Sequence, residues 1–310
     1  MQADTLQLIE KSSFTSDSPA EALKFLKAGI ENGKIKVREI ENFTTYKGPT
    51  ISQVLNNVYG ADPQPIIDTL VRFYQNWMTK QYVVKTEAVE EIYATLMLCW
   101  KRKAIGMIRG DFGKGKTKSV HSFCSEYEFA RFVQLNSSTN TVSILNRIAD
   151  AIGINSFAGS KEDKLQQIIR QLKRKPLMLI IDEADELNPR TLAILRDVHG
   201  DGEYCSVVLI VTHRFDKLIA RPELGYLRSR INIKREIRET SFVEAKKIID
   251  FWSHKLKKSD MEKAYAWSMK QYSLRSLVAL MNRAYDIAQM NNQKSIDSDC
   301  IDEAYSWIVD

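Results

Sequence analysis

Residues 110–117 read GDFGKGKT and match the spacing G-x-x-x-x-G-K-[ST]. They follow the apolar run 104–108 and precede a helical pattern over 117–126, which is the strand–loop–helix context that this motif requires. The glycines allow a tight turn whose N–H groups, with the N-terminus of the next helix, face an anion. We therefore predict a nucleotide site in which Lys116 contacts the β- and γ-phosphates and Thr117 binds Mg²⁺. The predicted nucleotide-binding residues are Gly110, Asp111, Phe112, Gly113, Lys114, Gly115, Lys116, Thr117 and Lys118.

A second apolar run, 177–181, ends in the carboxylates Asp182 and Glu183. A buried strand that ends in this way places Asp182 at the carboxyl edge of a sheet, beside the phosphate loop, where it can hold Mg²⁺. Glu183 can orient or deprotonate the attacking water. A strand that simply ends in an acidic turn is the alternative for this segment alone. Together the two motifs predict ATP and Mg²⁺ as cofactors and ATP hydrolysis as the reaction.

The pattern around these motifs predicts an α/β fold. Apolar runs alternate with amphipathic helical stretches between residues 86 and 240, as in a parallel sheet covered by helices on both faces. The predicted strands are 104–108, 130–135, 177–181, 206–211 and 233–237. The 310 residues suffice for two or three domains. We predict an N-terminal helical domain (1–85), a nucleotide-binding core (86–240) and a C-terminal helical lid (241–310).

The N-terminal region contains two short predicted helices, 37–45 and 49–58, whose lengths and connection resemble a helix-turn-helix. The second would present a polar face to DNA, and the predicted DNA contacts here are Lys47, Thr50, Ser52, Gln53 and Asn56. However, residues 1–85 carry 10 Lys and Arg against 9 Asp and Glu, which is a weak electrostatic attraction for DNA. A helical module that docks a protein is therefore an open alternative.

The net charge of +6 comes mostly from the rest of the chain. Two basic clusters there are further predicted DNA contacts, with a solvated basic face as the alternative: Lys101, Arg102, Lys103, Lys173, Arg174 and Lys175. The four cysteines and four histidines are scattered, so no zinc site is expected. No apolar run approaches the ~18 residues of a membrane span. We expect a cytoplasmic protein with no membrane partner.

The two motifs and the helical C-terminus resemble the AAA+ ATPases. This resemblance implies a sensor I residue at the end of the strand 206–211, where Thr212 stands. It implies an arginine finger, contributed to a neighbouring subunit, in the sequence LRSRI of 227–231; Arg230 is the first candidate and Arg228 the alternative. It also implies a sensor II arginine at Arg275, although Tyr272 replaces the glycine that many relatives carry three residues earlier. A strand-terminating threonine and a solvated basic helix end are the alternatives for the first two.

The order of the three parts is more informative than any one of them. It resembles the MuB-like and TnsC-like target-capture ATPases of transposition, in the segments 51–60, 180–185, 212–214 and 229–231. This resemblance implies an ATP-dependent oligomer, a helical filament on duplex DNA, that captures target DNA for a DDE transposase and disassembles on hydrolysis. It also implies that the protein acts in a bacterial or phage-infected cell. A helicase-loading or replication-initiator ATPase, and a signalling NTPase with a protein-binding N-terminal module, are the alternatives.

Overall fold

The structure is a computed structural model that describes residues 19–33, 35–81, 83–136, 138–154, 158–252, 256–270, 273–293 and 295–307. These residues pack into two compact units. One combines the described parts of 1–82, 246–263 and 280–310, and the other those of 83–245 and 264–279. Each packed unit combines segments that are distant in the sequence. The division of the chain into domains at residues 85 and 240 stays a prediction.

The described residues of the N-terminal part of the first unit form four helices: α1 (Pro19–Glu31), α2 (Val37–Phe43), α3 (Gly48–Leu55) and α4 (Gln64–Gln81). Leu26, Ile40, Ile51 and Leu70 each contribute a buried side chain to its core. Helix α2 ends two residues before its predicted end, because the backbone becomes extended at Thr44. Helix α3 ends three residues before its predicted end, and the backbone is left-handed at Asn57. The helix-turn-helix function of this pair stays a prediction.

A five-stranded parallel sheet forms the centre of the second unit, in the order β2-β3-β4-β1-β5. Its strands are β1 (Ile105–Arg109), β2 (Ala130–Gln134), β3 (Leu177–Asp182), β4 (Cys205–Val211) and β5 (Ile231–Glu236). In β4, Val207 and Leu209 belong to one apolar core cluster, whereas Val208 and Ile210 belong to another. The sheet is therefore buried on both faces, which confirms the predicted α/β class and all five strands to within two residues at each end.

Helices connect the strands and cover the sheet. They are α5 (Glu87–Arg102), α6 (Lys116–Glu126), α7 (Thr141–Ile152), α8 (Lys161–Arg174), α9 (Pro189–His199), α10 (Phe215–Ile219) and α11 (Gly225–Arg230). After β5 the chain continues in α12 (Phe242–Trp252), α13 (Lys258–Lys270), α14 (Leu274–Met290) and α15 (Ser298–Ser306). Across the described ranges, no helix has the length and apolarity that crossing a bilayer requires.

Candidate functional site: a phosphate loop at the sheet edge

The loop 110–115 joins β1 to the N-terminus of α6, where its backbone can face phosphate groups. Gly113 and Gly115 have φ values of +77° and +78°, in the left-handed region that other residues rarely adopt. A Cβ atom at Gly113 would lie 2.4 Å from Ser273 Oγ. The backbone conformation therefore favours glycine at both positions, and the packing against Ser273 leaves no room for a side chain at Gly113.

Lys116 is the buried cation of this loop. Only 9% of the residue is exposed, and its Nζ donates hydrogen bonds to the carbonyl oxygens of Gly110 (2.6 Å) and Asp111 (2.8 Å). Burial lowers the pKa of Lys116, while the carboxylate of Asp182 acts in the opposite direction. The ammonium group is therefore held inside the loop, at the position that the sequence predicts for a phosphate contact.

Thr117 and Asp182 form the candidate metal pair. The hydroxyl of Thr117, in the first turn of α6, donates to Oδ2 of Asp182, the last residue of β3, at 2.6 Å. Asp182 is 3% exposed, and its Oδ1 accepts from the backbone N–H of Glu183 at 3.0 Å. A hydroxyl and a carboxylate are hard oxygen donors of the kind that Mg²⁺ binds, so these residues fit the predicted ion.

Glu183 leaves the strand in a left-handed conformation, with φ of 58°. This turn directs the chain away from β3 directly after the buried Asp182. Loss of hydration raises the pKa of Glu183, and the neighbouring carboxylates of Asp182, Glu186 and Asp185 raise it further, whereas Arg275 lowers it. A carboxylate with a raised pKa is a stronger base, which suits the activation of water.

Thr212 directly follows β4, the strand that lies between β3 and β1. It is 5% exposed, and its hydroxyl donates to Asp185 Oδ2 at 2.5 Å. The predicted sensor I residue therefore lies at the sheet edge that carries both motifs and is bound to a carboxylate three residues after Asp182. Sequence reasoning gave Asp185 no role, although its position in the acidic segment after β3 was a usable signal.

Arg275 lies in the first turn of α14, next to the phosphate loop. Its backbone N–H donates to the carbonyl oxygen of Gly113 at 3.3 Å, and its charge acts on Glu183. Ser273, which precedes the helix, contacts the position where a Gly113 side chain would stand. The role of Arg275 as sensor II stays a prediction, with this proximity in its favour.

The two finger candidates lie on the short helix α11. Arg230 donates to Asp201 Oδ2 at 3.2 Å and to the Tyr226 hydroxyl at 2.6 Å, and its guanidinium also lies over the Tyr226 ring. Arg228 lines a cavity of about 300 Å³ together with Arg109. The contact of either arginine with a neighbouring subunit stays a prediction.

The predicted DNA contacts fall in both units. Thr50 is half-buried, and the others are exposed: Lys47, Ser52, Gln53, Asn56, Lys101, Arg102, Lys103, Lys173, Arg174 and Lys175. Asn56 donates to the backbone oxygen of Ser52 at 2.9 Å, and Lys173 Nζ lies 4.7 Å from the centroid of the Tyr204 ring. Exposure leaves these side chains accessible to phosphate, and their contact with DNA stays a prediction.

Comparison with protein families gives the site its context. The family model described as "AAA domain" matches residues 100–219. This region of the chain is an AAA domain. The "ATP-dependent target DNA activator B" of Escherichia phage Mu is 24% identical over 242 residues, which cover 73% of this chain and 76% of the phage protein. The "Mu-like prophage FluMu DNA transposition protein B" of Haemophilus influenzae is 23% identical over 239 residues, covering 73% and 83%. The chain is similar to these two transposition proteins over 73% of its length.

Solved structures agree on the fold of the AAA+ domain. The Aeropyrum pernix ORC2 protein in its ADP form has a TM-score of 0.60 at 18% identity and covers 73% of this chain and 69% of its own. The Aeropyrum pernix ORC1 protein in complex with DNA has a TM-score of 0.58 at 16% identity, covering 74% and 67%. At this identity the similarity concerns the fold alone.

Proposed function

We propose that this chain is an ATP-dependent target DNA activator of transposition. It binds Mg-ATP, self-associates on duplex DNA as a helical filament, delivers that DNA to a DDE transposase, and disassembles when ATP is hydrolysed. The observation that carries this proposal is the extent of the similarity. The likeness to the phage Mu activator runs over 242 residues, whereas the AAA domain itself occupies only 100–219.

The site supports hydrolysis through a division of roles. The Lys116 ammonium stabilises negative charge on the β- and γ-phosphates, and Thr117 with Asp182 would hold the metal ion. Bound Mg²⁺ would neutralise the charge that develops on the phosphate oxygens. Glu183 accepts the proton of the attacking water, for which its raised pKa is suited.

The two arginine-finger candidates would link self-association to ATP binding. Arg230 or Arg228 reaches ATP held by a neighbouring copy and adds positive charge where negative charge develops. ATP then strengthens the interface between copies, and hydrolysis weakens it. Repetition along an oligomer multiplies weak phosphate contacts from the exposed basic clusters, so DNA affinity should fall steeply with salt.

The test is steady-state ATP hydrolysis with duplex DNA, with the cognate DDE transposase, and with both. Wild-type turnover should rise most with both, and Lys116→Ala should abolish it. Lys161→Ala, which alters an exposed lysine of α8 in the same domain, is the matched control and should behave as wild type. A hydrolysis rate that does not change when transposase is added would contradict the transposition role and favour the helicase-loading alternative. A rate that does not change when DNA is added either would favour the signalling alternative.

Electron microscopy tests the filament directly. With ATP and duplex DNA, we expect continuous helical filaments that disappear when ADP replaces ATP. Isolated rings or monomers under both conditions would count against the filament while leaving the ATPase assignment intact.

A further inference from the structure

Arg109 is the last residue of β1 and directly precedes the phosphate loop. Its Nη1 donates to both carboxylate oxygens of Asp216 at 2.8 and 2.7 Å, and its Nη2 donates to Glu236 Oε2 at 2.6 Å. A planar guanidinium can bind two carboxylates at once with fixed geometry, which a lysine cannot do. Arg109 therefore joins two distant parts of the chain at one point.

Those two parts are the ends of a single segment. Asp216 is the second residue of α10, and Glu236 is the last residue of β5. Residues 217–235 lie between them and include α11 with Arg228 and Arg230; we name this stretch the finger segment. Arg109, at the base of the phosphate loop, thus binds the two carboxylates that flank the finger segment.

Apart from these ion pairs, the Arg109 side chain borders a cavity and has one unpaired nitrogen among the described residues. Its Nε is buried and has no hydrogen-bond partner among the described residues, an arrangement that costs free energy unless other bonds offset it. The cavity of about 300 Å³ is lined by Arg109, Asp216, Arg228 and Glu236. Within the finger segment, Leu224, Leu227 and Ile231 pack into the apolar core, and the ion pairs of Arg109 fix the carboxylates that flank the segment beside this cavity.

We propose that Arg109 is a positioning residue that acts through the finger segment on ATP bound by a neighbouring copy of the chain. Both of its terminal nitrogens are engaged by carboxylates of its own subunit, so its charge is directed to them and not to the nucleotide that its own loop holds. The inference rests on the proposed function, because it requires that Arg230 or Arg228 complete a neighbour's site.

Single substitutions give the first part of the test. Arg109→Met should lower ATP hydrolysis on the order of tenfold, while the affinity of dilute monomer for a fluorescent ATP analogue stays unchanged. Arg109→Lys keeps the positive charge but loses the planar guanidinium that binds both carboxylates, so its hydrolysis rate should lie between those of Arg109→Met and the wild type. The double variant Asp216→Asn/Glu236→Gln removes the partners instead and should reproduce the Arg109→Met defect. Weaker binding of the analogue by Arg109→Met would overturn the proposal.

Mixing two impaired variants gives the decisive part of the test. Arg109→Met is mixed in equal amounts with Glu183→Gln, whose own site cannot hydrolyse but whose finger segment is intact. If Arg109 acts on a neighbour, mixed oligomers should regain about one quarter of the wild-type rate, because one of four head-to-tail pairs has both intact groups. No recovery would show that Arg109 acts within its own subunit and would overturn the proposal.

A parallel mixture separates this inference from the proposed function. Arg230→Ala with Glu183→Gln, or Arg228→Ala in its place, should recover activity if a finger acts between subunits. Recovery here without recovery in the Arg109 mixture overturns the inference alone. Failure of every mixture contradicts the shared site of the proposed function, and the inference fails with it.

Discussion

Gly113 and Gly115 offer a matched pair for testing whether the phosphate loop packs against the start of α14 as the structure shows. Both have left-handed backbone, with φ of +77° and +78°, so alanine at either position should cost about 1–2 kcal/mol in backbone strain. They differ in surroundings. A Cβ at Gly115 would have no atom within 4 Å, whereas one at Gly113 would lie 2.4 Å from Ser273 Oγ and 2.6 Å from Ser273 Cβ.

At Gly113, the contact of the new Cβ with Ser273 adds the cost of overpacking, about 1–3 kcal/mol. Gly113→Ala should therefore lower the free energy of unfolding by ~2–5 kcal/mol and Gly115→Ala by only ~1–2 kcal/mol. Urea denaturation without nucleotide, analysed by linear extrapolation, measures both values.

A third variant identifies the cause. Gly113→Ala combined with Ser273→Gly removes the clashing atoms and should return most of the difference between the two single variants. Ser273 Oγ also accepts from the Ser276 N–H at 3.1 Å, and replacing such a cap by glycine costs only a few tenths of a kcal/mol. Single alanine variants that agree within ~0.5 kcal/mol would refute the reasoning, since the loop would then not contact Ser273.

Three further outcomes follow from the site and the core. Glu183→Gln should retain ATP binding and lose turnover by roughly 10²–10⁴-fold, measured by equilibrium binding beside steady-state hydrolysis; unaltered turnover would remove Glu183 from its role. Arg275→Ala removes a charge that lowers the pKa of Glu183, so the acid limb of its pH–rate profile should move to higher pH, and an unmoved limb would separate the two residues. Burial lowers the pKa of His199 below its unfolded value of 6.5, so the unfolded state binds the proton more readily and stability should fall as pH drops below ~6.5. His199→Gln should flatten that dependence in urea titrations at several pH values, and an equal slope in both proteins would contradict this cause.

The sequence predicts the sheet well because each strand is an apolar run bounded by polar residues, and such runs can only be buried. The phosphate loop and the Asp182–Glu183 pair are predictable for a related reason, since each is a local pattern attached to one strand. Helix α5 is absent from the predicted elements, although Thr86 caps it by accepting from the Val89 N–H at 3.3 Å and buried Ile92 and Leu96 follow at helical spacing.

Interactions between distant residues account for what the sequence could not predict. The partners of Arg109 lie 107 and 127 residues further along the chain, and only strand order brings them together: β5 pairs with β1. The bond between Thr212 and Asp185 likewise joins the ends of β4 and β3. No local pattern encodes such pairs, because they depend on which strands become neighbours.

Retention of duplex DNA on filters in ATP, in ADP and in ATP with Lys116→Ala tests most directly whether nucleotide at this site controls DNA binding. We expect retention by the wild-type protein in ATP but not in ADP, prolonged retention by Glu183→Gln in ATP, and none by Lys116→Ala. Equal retention in ATP and ADP, or full retention by Lys116→Ala, would contradict the claim that nucleotide at this site controls DNA binding.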